Sequence, residues 1–247
     1  MPRQKTSAWN SILSVSGAAG TAPGYGPLLM ACGMSETVNA GVSVVYTPVS
    51  AAFGSVTIYF NIDGILHKIL GARGTVEMTI NTKQIPVLKF NMQGLYAAPT
   101  DTAAPTVVYT NFMVPEVANT TNTTAFSLLG YSGILMSLGF NVANEVNYRT
   151  LIGSESIFIV DRKSAGTAVI ELPTIAAKDY YSAAAEGTTG ALSILHGITA
   201  GLKVQIDAPR VVLQNPTLQD DSGIAMLSVP FVVTPTSGND DFTITVK

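Results

Sequence analysis

Two stretches of this chain, residues 55–96 and 191–233, read as copies of one β-rich unit, and no other feature constrains the fold as tightly. The first holds SVTIYFNIDGILHKILGARGTVEM followed by IPVLKFNMQGLY; the second holds ALSILHGITAGLKVQIDAPRVVLQ followed by GIAMLSVPFVV. Setting Arg73 on Arg210 gives an offset of 137 residues, at which Leu88, Phe90 and Met92 fall on Ala225, Leu227 and Val229. Lys89 and Asn91 lie between the apolar residues of the first copy. That period of two belongs to a half-buried strand. The expectation is a mainly β chain of two tandem units, residues 1–104 and 105–247.

Composition sharpens this. Only 12% of the 247 residues are charged and 47% are hydrophobic, against roughly 25% charge in an ordinary soluble domain. No apolar run approaches the ~20 residues of a membrane helix, so the surplus belongs in a core or between copies of the chain. The net charge of −3 gives no basic footprint for holding nucleic acid by its phosphates. One cysteine, Cys32, excludes an intrachain disulfide. MPRQKTSAWNSILSVSG lacks the continuous apolar stretch of a secretory signal, so assembly in a cytoplasm is expected.

Along the chain, residues 1–26 read as an arm or loop, with Trp9 as a candidate anchor and residues 17–26 as a glycine-rich flexible part. Pro27 opens a short helix, LLMAC, closed by Gly33. Residues 34–54 form a long connection with a strand-like piece, VSVVYTPVS. Strands are expected at 56–60 and 65–70, turning at Asp63-Gly64, then at 75–80 and 87–96. A proline- and alanine-rich boundary at 97–105 precedes strands at 106–112, 124–129, 133–140 and 156–160. A helix over 176–185 ends at Gly187, and strands return at 191–196, 202–207, 210–214, 224–233 and 241–246. The helix-ending glycines lie 154 apart while the strands repeat at 137, so copy one carries about 17 extra residues ahead of its first strand. Loops of that length are usually functional. Copy one is also short at its front, and a sheet edge left bare there would seek a strand from a neighbour.

Groups for chemistry are sparse. His67 and His196 are the only histidines, with no third metal ligand at a fixed spacing; both read as structural. Cys32 sits at a helix C-terminal end, where the dipole does not activate a thiolate. Asp220-Asp221 and Asp240-Asp241 could serve acid–base work or hold a hard cation. Their Gly/Ser-containing surroundings favour solvated loops or lumen-facing charges. Residues 17–26 carry no phosphate-binding lysine. The expectation is no catalytic, cofactor-binding or metal-ligating set.

The segments GTAPGYGPLLMACG, YTPVS, SVTIYFNIDGILHKILGARGTVEMTINTKQIPVLKFNMQGLY and PTSGNDDFTITVK resemble the major tail tube proteins of long-tailed, siphovirus-like bacteriophages, from about residue 17 onward. The resemblance implies β-sandwich or barrel-like units, each flanked by a short helix. It further implies rings stacked into a hollow tube that conducts DNA during ejection. A duplicated unit implies three subunits per ring with pseudo-sixfold symmetry rather than six. Implied partners are other copies of the chain, the tape-measure protein and transiting DNA without specific binding, and the tail terminator and distal tail proteins. The implied location is the virion, with no cofactor and no membrane.

On that basis residues 34–54 suit a ring-stacking loop, through Val42, Val44, Tyr46, Pro48 and Phe53. The N-terminal arm would contact a neighbour through Trp9, Ile12 and Leu13. A bore lined by acidic or neutral groups would let DNA slide. A decoration or receptor- or carbohydrate-binding β-sandwich is the alternative of a different class. A hydrolase using one Asp pair, and the inner tube of a contractile secretion machine, are further readings.

Overall fold

The computed structural model describes residues 4–110 and 112–247; the first three residues of the expected arm, and Asn111 of the expected 106–112 strand, lie outside them. Strand accounts for 54% of the chain and helix for 5%, which fixes the mainly β class. The first half holds β1 (Gln4–Ile12), α1 (Gly26–Ala31), β2 (Met34–Asn39), β3 (Ser43–Pro48), β4 (Val56–Ile62), β5 (Ile65–Asn81), β6 (Val87–Tyr96) and β7 (Thr100–Asp101). The second holds β8 (Thr123–Leu128), β9 (Leu135–Asn141), β10 (Asn144–Leu151), β11 (Ser154–Arg162), β12 (Ala165–Glu171) and α2 (Tyr180–Ala185). It ends with β13 (Thr189–His196), β14 (Val204–Leu213), β15 (Thr217–Asp221), β16 (Ile224–Val233) and β17 (Thr243–Val246).

Local chemistry accounts for the best-defined turns. Ile62 pairs with Ile65 across Asp63-Gly64, whose φ angles of 44° and 81° are those of a two-residue hairpin loop matched to strand twist. α1 has proline in its first turn and Gly33 beyond its end at φ 82°, the left-handed position that glycine fills without a Cβ penalty. α2 begins later than the sequence suggests. Asp179 is extended, its carboxylate accepts the Ser182 N–H at 2.9 Å, and residues 174–178 form a turn instead. The strands expected at 65–70 and 75–80 are one seventeen-residue strand, β5. A bulge between Leu70 and Arg73 takes up Gly71, at φ 56°, without ending the strand.

Two expectations are corrected at the front. Residues 4–12 are not a free arm: β1 pairs with β6 along its whole length, from Gln4↔Leu95 to Ile12↔Val87. Trp9 stacks on Phe90 at 6.2 Å between ring centroids, so the aromatic ring finds its partner inside the subunit. Residues 34–54 are not a loop around one strand either. β2 and β3 form a hairpin, and β3 joins the sheet through the last strand, Ile244↔Tyr46.

Among the described residues fifteen strands form one sheet, with the main path β1-β6-β5-β9-β12-β16-β14-β17-β3-β2, and β10–β11 stand apart as a two-stranded hairpin. No closed barrel forms. The expected division at 104/105 falls in irregular chain between β7 and β8, and ladders cross it: β5 pairs β9, and β17 pairs β3. A single core follows, combining Val44, Tyr46, Val76 and Phe90 with Phe140, Ile206, Phe231 and Ile244. Phe140 of β9 meets Phe242 edge-on at 5.2 Å, a geometry favoured by the ring quadrupoles.

The ladders also share registers between halves. β6 and β16 are each ten residues long and start 137 apart. Ser7 and Gln4 oppose Met92 and Leu95, and Ala168 and Ala165 oppose Val229 and Val232. On the other side Thr75 and Thr79 oppose Asn91 and Val87, while Thr217 and Asp221 oppose Ser228 and Ile224. β5 thus answers to β14 and β15 together. Setting Arg73 on Arg210 is not what the ladders follow. Arg73 opposes Gln93, and at the matching level of the second half Gln214 donates its N–H to Pro230 at 2.8 Å. The 80–86 connection is five residues longer than Ser222-Gly223, and an ungapped comparison of sequence slips by that amount.

Candidate assembly surfaces

The histidines, the cysteine and the aspartate pairs singled out in the sequence have neighbours within the subunit. His196 is buried with Nδ1 3.0 Å from Thr123 Oγ1; burial holds its pKa below the usual value, partly opposed by Glu116. His67 Nδ1 lies 3.3 Å from Lys5 Nζ. Cys32 is fully buried beside Met92, and burial pushes its thiol far up. Asp240 accepts backbone N–H groups from Thr236, Ser237 and Gly238 at 2.9–3.2 Å, led by Thr236 in holding its carboxyl below the usual range. Asp241 is buried against Arg162, Nε to Oδ2 2.9 Å, which corrects the expectation of a solvated loop for that residue. Asp220 closes the Ser222-Gly223 turn by accepting the Gly223 N–H at 3.2 Å. Among the described residues no three His, Cys, Asp or Glu side chains converge, and no helix is long and apolar enough to cross a membrane.

The residues singled out for stacking separate. Val42 is exposed at the β2–β3 turn, whereas Val44, Tyr46 and Pro48 are buried and Phe53 is half-buried. Tyr46 donates its hydroxyl to Glu36 at 2.7 Å, and burial raises its pKa. Gly26 makes this contact possible: a Cβ there would lie 2.5 Å from Tyr46 Oη. Of the three arm residues, Ile12 is exposed, Trp9 half-buried and Leu13 buried. The structure brings neither set together as one outward surface. The alternation of VSVVYTPVS already carried the warning, since β3 faces its apolar side chains inward.

Three other surfaces are more exposed. The β10–β11 hairpin ends in Leu151, Ile152 and Gly153, with Ile152 fully exposed. Its base is held by Arg73, whose guanidinium donates to the carbonyls of Phe53 (2.9 Å), Gly54 (3.1 Å) and Ile157 (2.5 Å). Asn144 Nδ2 adds bonds to the carbonyls of Cys32 (2.6 Å) and Gly74 (2.9 Å). β4 and the start of β5 expose Tyr59, Phe60, Ile62 and Ile65. Residues 102–110 and 112–118 lie outside every named strand and expose Val107, Val108, Tyr109 and Val114. Two open grooves accompany these surfaces. One of about 540 Å³ beside β8 is lined without an ionisable side chain. The other, of about 800 Å³ beside β4, has Lys5 and His67 as its only charged or titrating lining besides tyrosine.

Continuous β structure with exposed apolar edges describes a chain suited to pack against others. The model of one family, phage tail tube protein, matches residues 3–235. The chain belongs to that family. No curated protein matches it. A phage tail tube protein is a structural component of the virion, and apolar surface exposed in a single subunit is expected of a protein that assembles into a tube.

Proposed function

We propose that copies of this tail tube protein close side by side into rings, and that the rings stack into the hollow tube through which DNA passes during ejection. Each chain supplies two tandem units, divided near residue 104, so three chains complete a ring of pseudo-sixfold symmetry. The carrying observation is the repeated register: β1–β6–β5 and β12–β16–β15 present the same ladder twice in one sheet. Two equivalent sheet segments per chain let three chains offer six equivalent positions. Stacking is a contact that repeats along an axis, and the β10–β11 hairpin, with exposed Val42 of the expected stacking loop, is the surface best formed to make it. The tape-measure protein and DNA occupy the lumen without specific binding, and the terminator and distal proteins cap the ends.

Negative-stain electron microscopy of the purified chain tests this, with end-on views counted for subunits. Tubes or stacked rings of three chains are expected; a discrete monomer at high concentration refutes the reading. Charge mapped on the bore is a second check, because a lining rich in lysine and arginine would trap DNA phosphates.

A further inference from the structure

β4 has an open edge where its counterpart has a covered one. Among the described ladders β4 pairs only with β5, whereas β13 pairs with β14 on one side and β8 on the other. The two hairpins correspond. Each carries a bulge setting two residues against three, from Val56↔Ala72 to Ile58↔Ile69 and from Gly190↔Val211 to Leu192↔Ala208. The edge that β8 closes on β13 is therefore the edge left free on β4. Natural sheets guard free edges with charge or proline. β4 (VTIYFNI) has neither, and Tyr59 and Phe60 stand 62% and 57% exposed beside the groove of about 800 Å³.

The same chain carries a strand with no sheet. Residues 106–110, TVVYT, combine β-branched and aromatic side chains that favour a pleated, half-buried surface. Yet they join no ladder, and Val107, Val108 and Tyr109 are 62–72% exposed. Pro105 and Pro115 bracket the segment, and residues 103–115 carry no charge. Its ends are tied: the Thr102 N–H donates to Gly64 at 2.8 Å, the Met113 N–H donates to Val15 at 3.1 Å, and Ser14 Oγ donates to the Met113 carbonyl. Between these ties the Phe112 N–H donates to the Tyr109 carbonyl at 3.0 Å, and residues 106–108 enter no ladder.

We propose that residues 106–110 of one copy add as an antiparallel strand to the open edge of β4 in the neighbouring copy. This completes there what β8 completes on β13 within the chain. It rests on the ring reading and specifies the contact that joins one subunit to the next. Each copy has one donor segment and one acceptor edge, so the contact is head-to-tail, the kind that closes into a ring when the rotation permits. Backbone hydrogen bonds supply the pairing, and Tyr59, Phe60, Val107 and Val108 supply apolar burial across the strands.

Mixing chains that each carry one added cysteine tests it, with native Cys32 left in place because it is buried. Tyr59→Cys or Phe60→Cys is mixed with Val107→Cys or Val108→Cys, four combinations that cover both faces of the strand. The mixtures are assembled, oxidised and run on non-reducing gels. A band at twice the monomer mass is expected in at least one combination, and only from assembled material. Tubes that yield no such band in any combination overturn the exchange and leave the tube standing. So does a chain carrying both cysteines that closes on itself and migrates as a compact monomer. Failure of the unaltered chain to form rings overturns the ring reading and this contact with it. As a second measurement, Val107→Pro and Val108→Pro in one chain remove two successive backbone donors at exposed sites, one of which must face β4. The variant is expected to keep the monomer's unfolding transition and to lose tubes; unimpaired tube formation counts against the pairing.

Discussion

Arg73→Met tests how the β10–β11 hairpin is held. The Arg73 guanidinium bonds three carbonyls from two segments, Phe53 and Gly54 ahead of β4 and Ile157 in β11, and Arg73 itself lies on the bulge of β5. A hydrogen bond from a charged donor is worth roughly 1.5–3 kcal/mol net. The site is partly exposed, so water recovers some of each loss, and methionine retains packing of the side-chain stem. About 1 kcal/mol per bond remains, or about 3 kcal/mol in all. A typical stability of about 5–15 kcal/mol leaves the variant folded. Urea unfolding should show the lower midpoint, and hydrogen exchange should localise the change to β10–β11 and residues 53–54, leaving β12–β16 protected. Arg73→Lys should recover about a third or less, because one ammonium cannot reproduce the planar fork. Unchanged exchange in β10–β11, with the midpoint shifted by less than about 0.5 kcal/mol, would refute the claim that Arg73 fastens the hairpin.

Other expectations follow from single contacts. Ile152→Asp places a charge on the fully exposed hairpin tip; monomer stability should move by less than about 0.5 kcal/mol, while electron micrographs show isolated rings in place of tubes. Burial lowers the His196 pKa in the fold, so the unfolded chain binds the proton more readily, and stability present above about pH 6.5 falls as the pH drops through the folded value. His196→Gln should flatten that slope in denaturation measured between pH 7 and 5. Asp179→Ala removes the cap of α2 and should cost about 1 kcal/mol in urea unfolding, most of it restored by Asp179→Ser.

Local signals proved the most legible. Asp63-Gly64, the alternation of VLKFNMQGLY and the Pro27/Gly33 bracket each specify one turn, strand or helix from neighbouring residues alone, and the ladders hold them where expected. The failures required knowledge of distant partners. Nothing near Trp9 reveals that β6 presents Phe90 to it, so a paired strand reads as an arm. VSVVYTPVS displays a strand pattern, but its place in the sheet depends on β17, nearly 200 residues later. The shared register is legible through β6 and β16, where no insertion intervenes, and slips at Arg73 because the connection from β5 to β6 is longer than that from β15 to β16. For the assembly surfaces, Leu151-Ile152-Gly153 was the readable sign: two apolar residues at a turn have no local reason to be there.

The guarding of edges explains why so few charges suffice. β2 carries Glu36, β1 carries Lys5, and β15 ends in Asp220-Asp221, so these exposed strands repel an incoming edge or make its pairing costly. β8 carries no charge, but its large side chains Phe126 and Leu128 are buried and Tyr131 bridges back to Leu128. β4 departs from both patterns, with no charge and its aromatic residues turned outward. A chain with only 12% charged residues that places them on other edges and withholds them from this one has left a specific edge open to pairing. Random exposure would not account for that distribution, because the same rule is obeyed on β1, β2 and β15. On the proposed reading, the contact between copies is therefore expected where protection is missing.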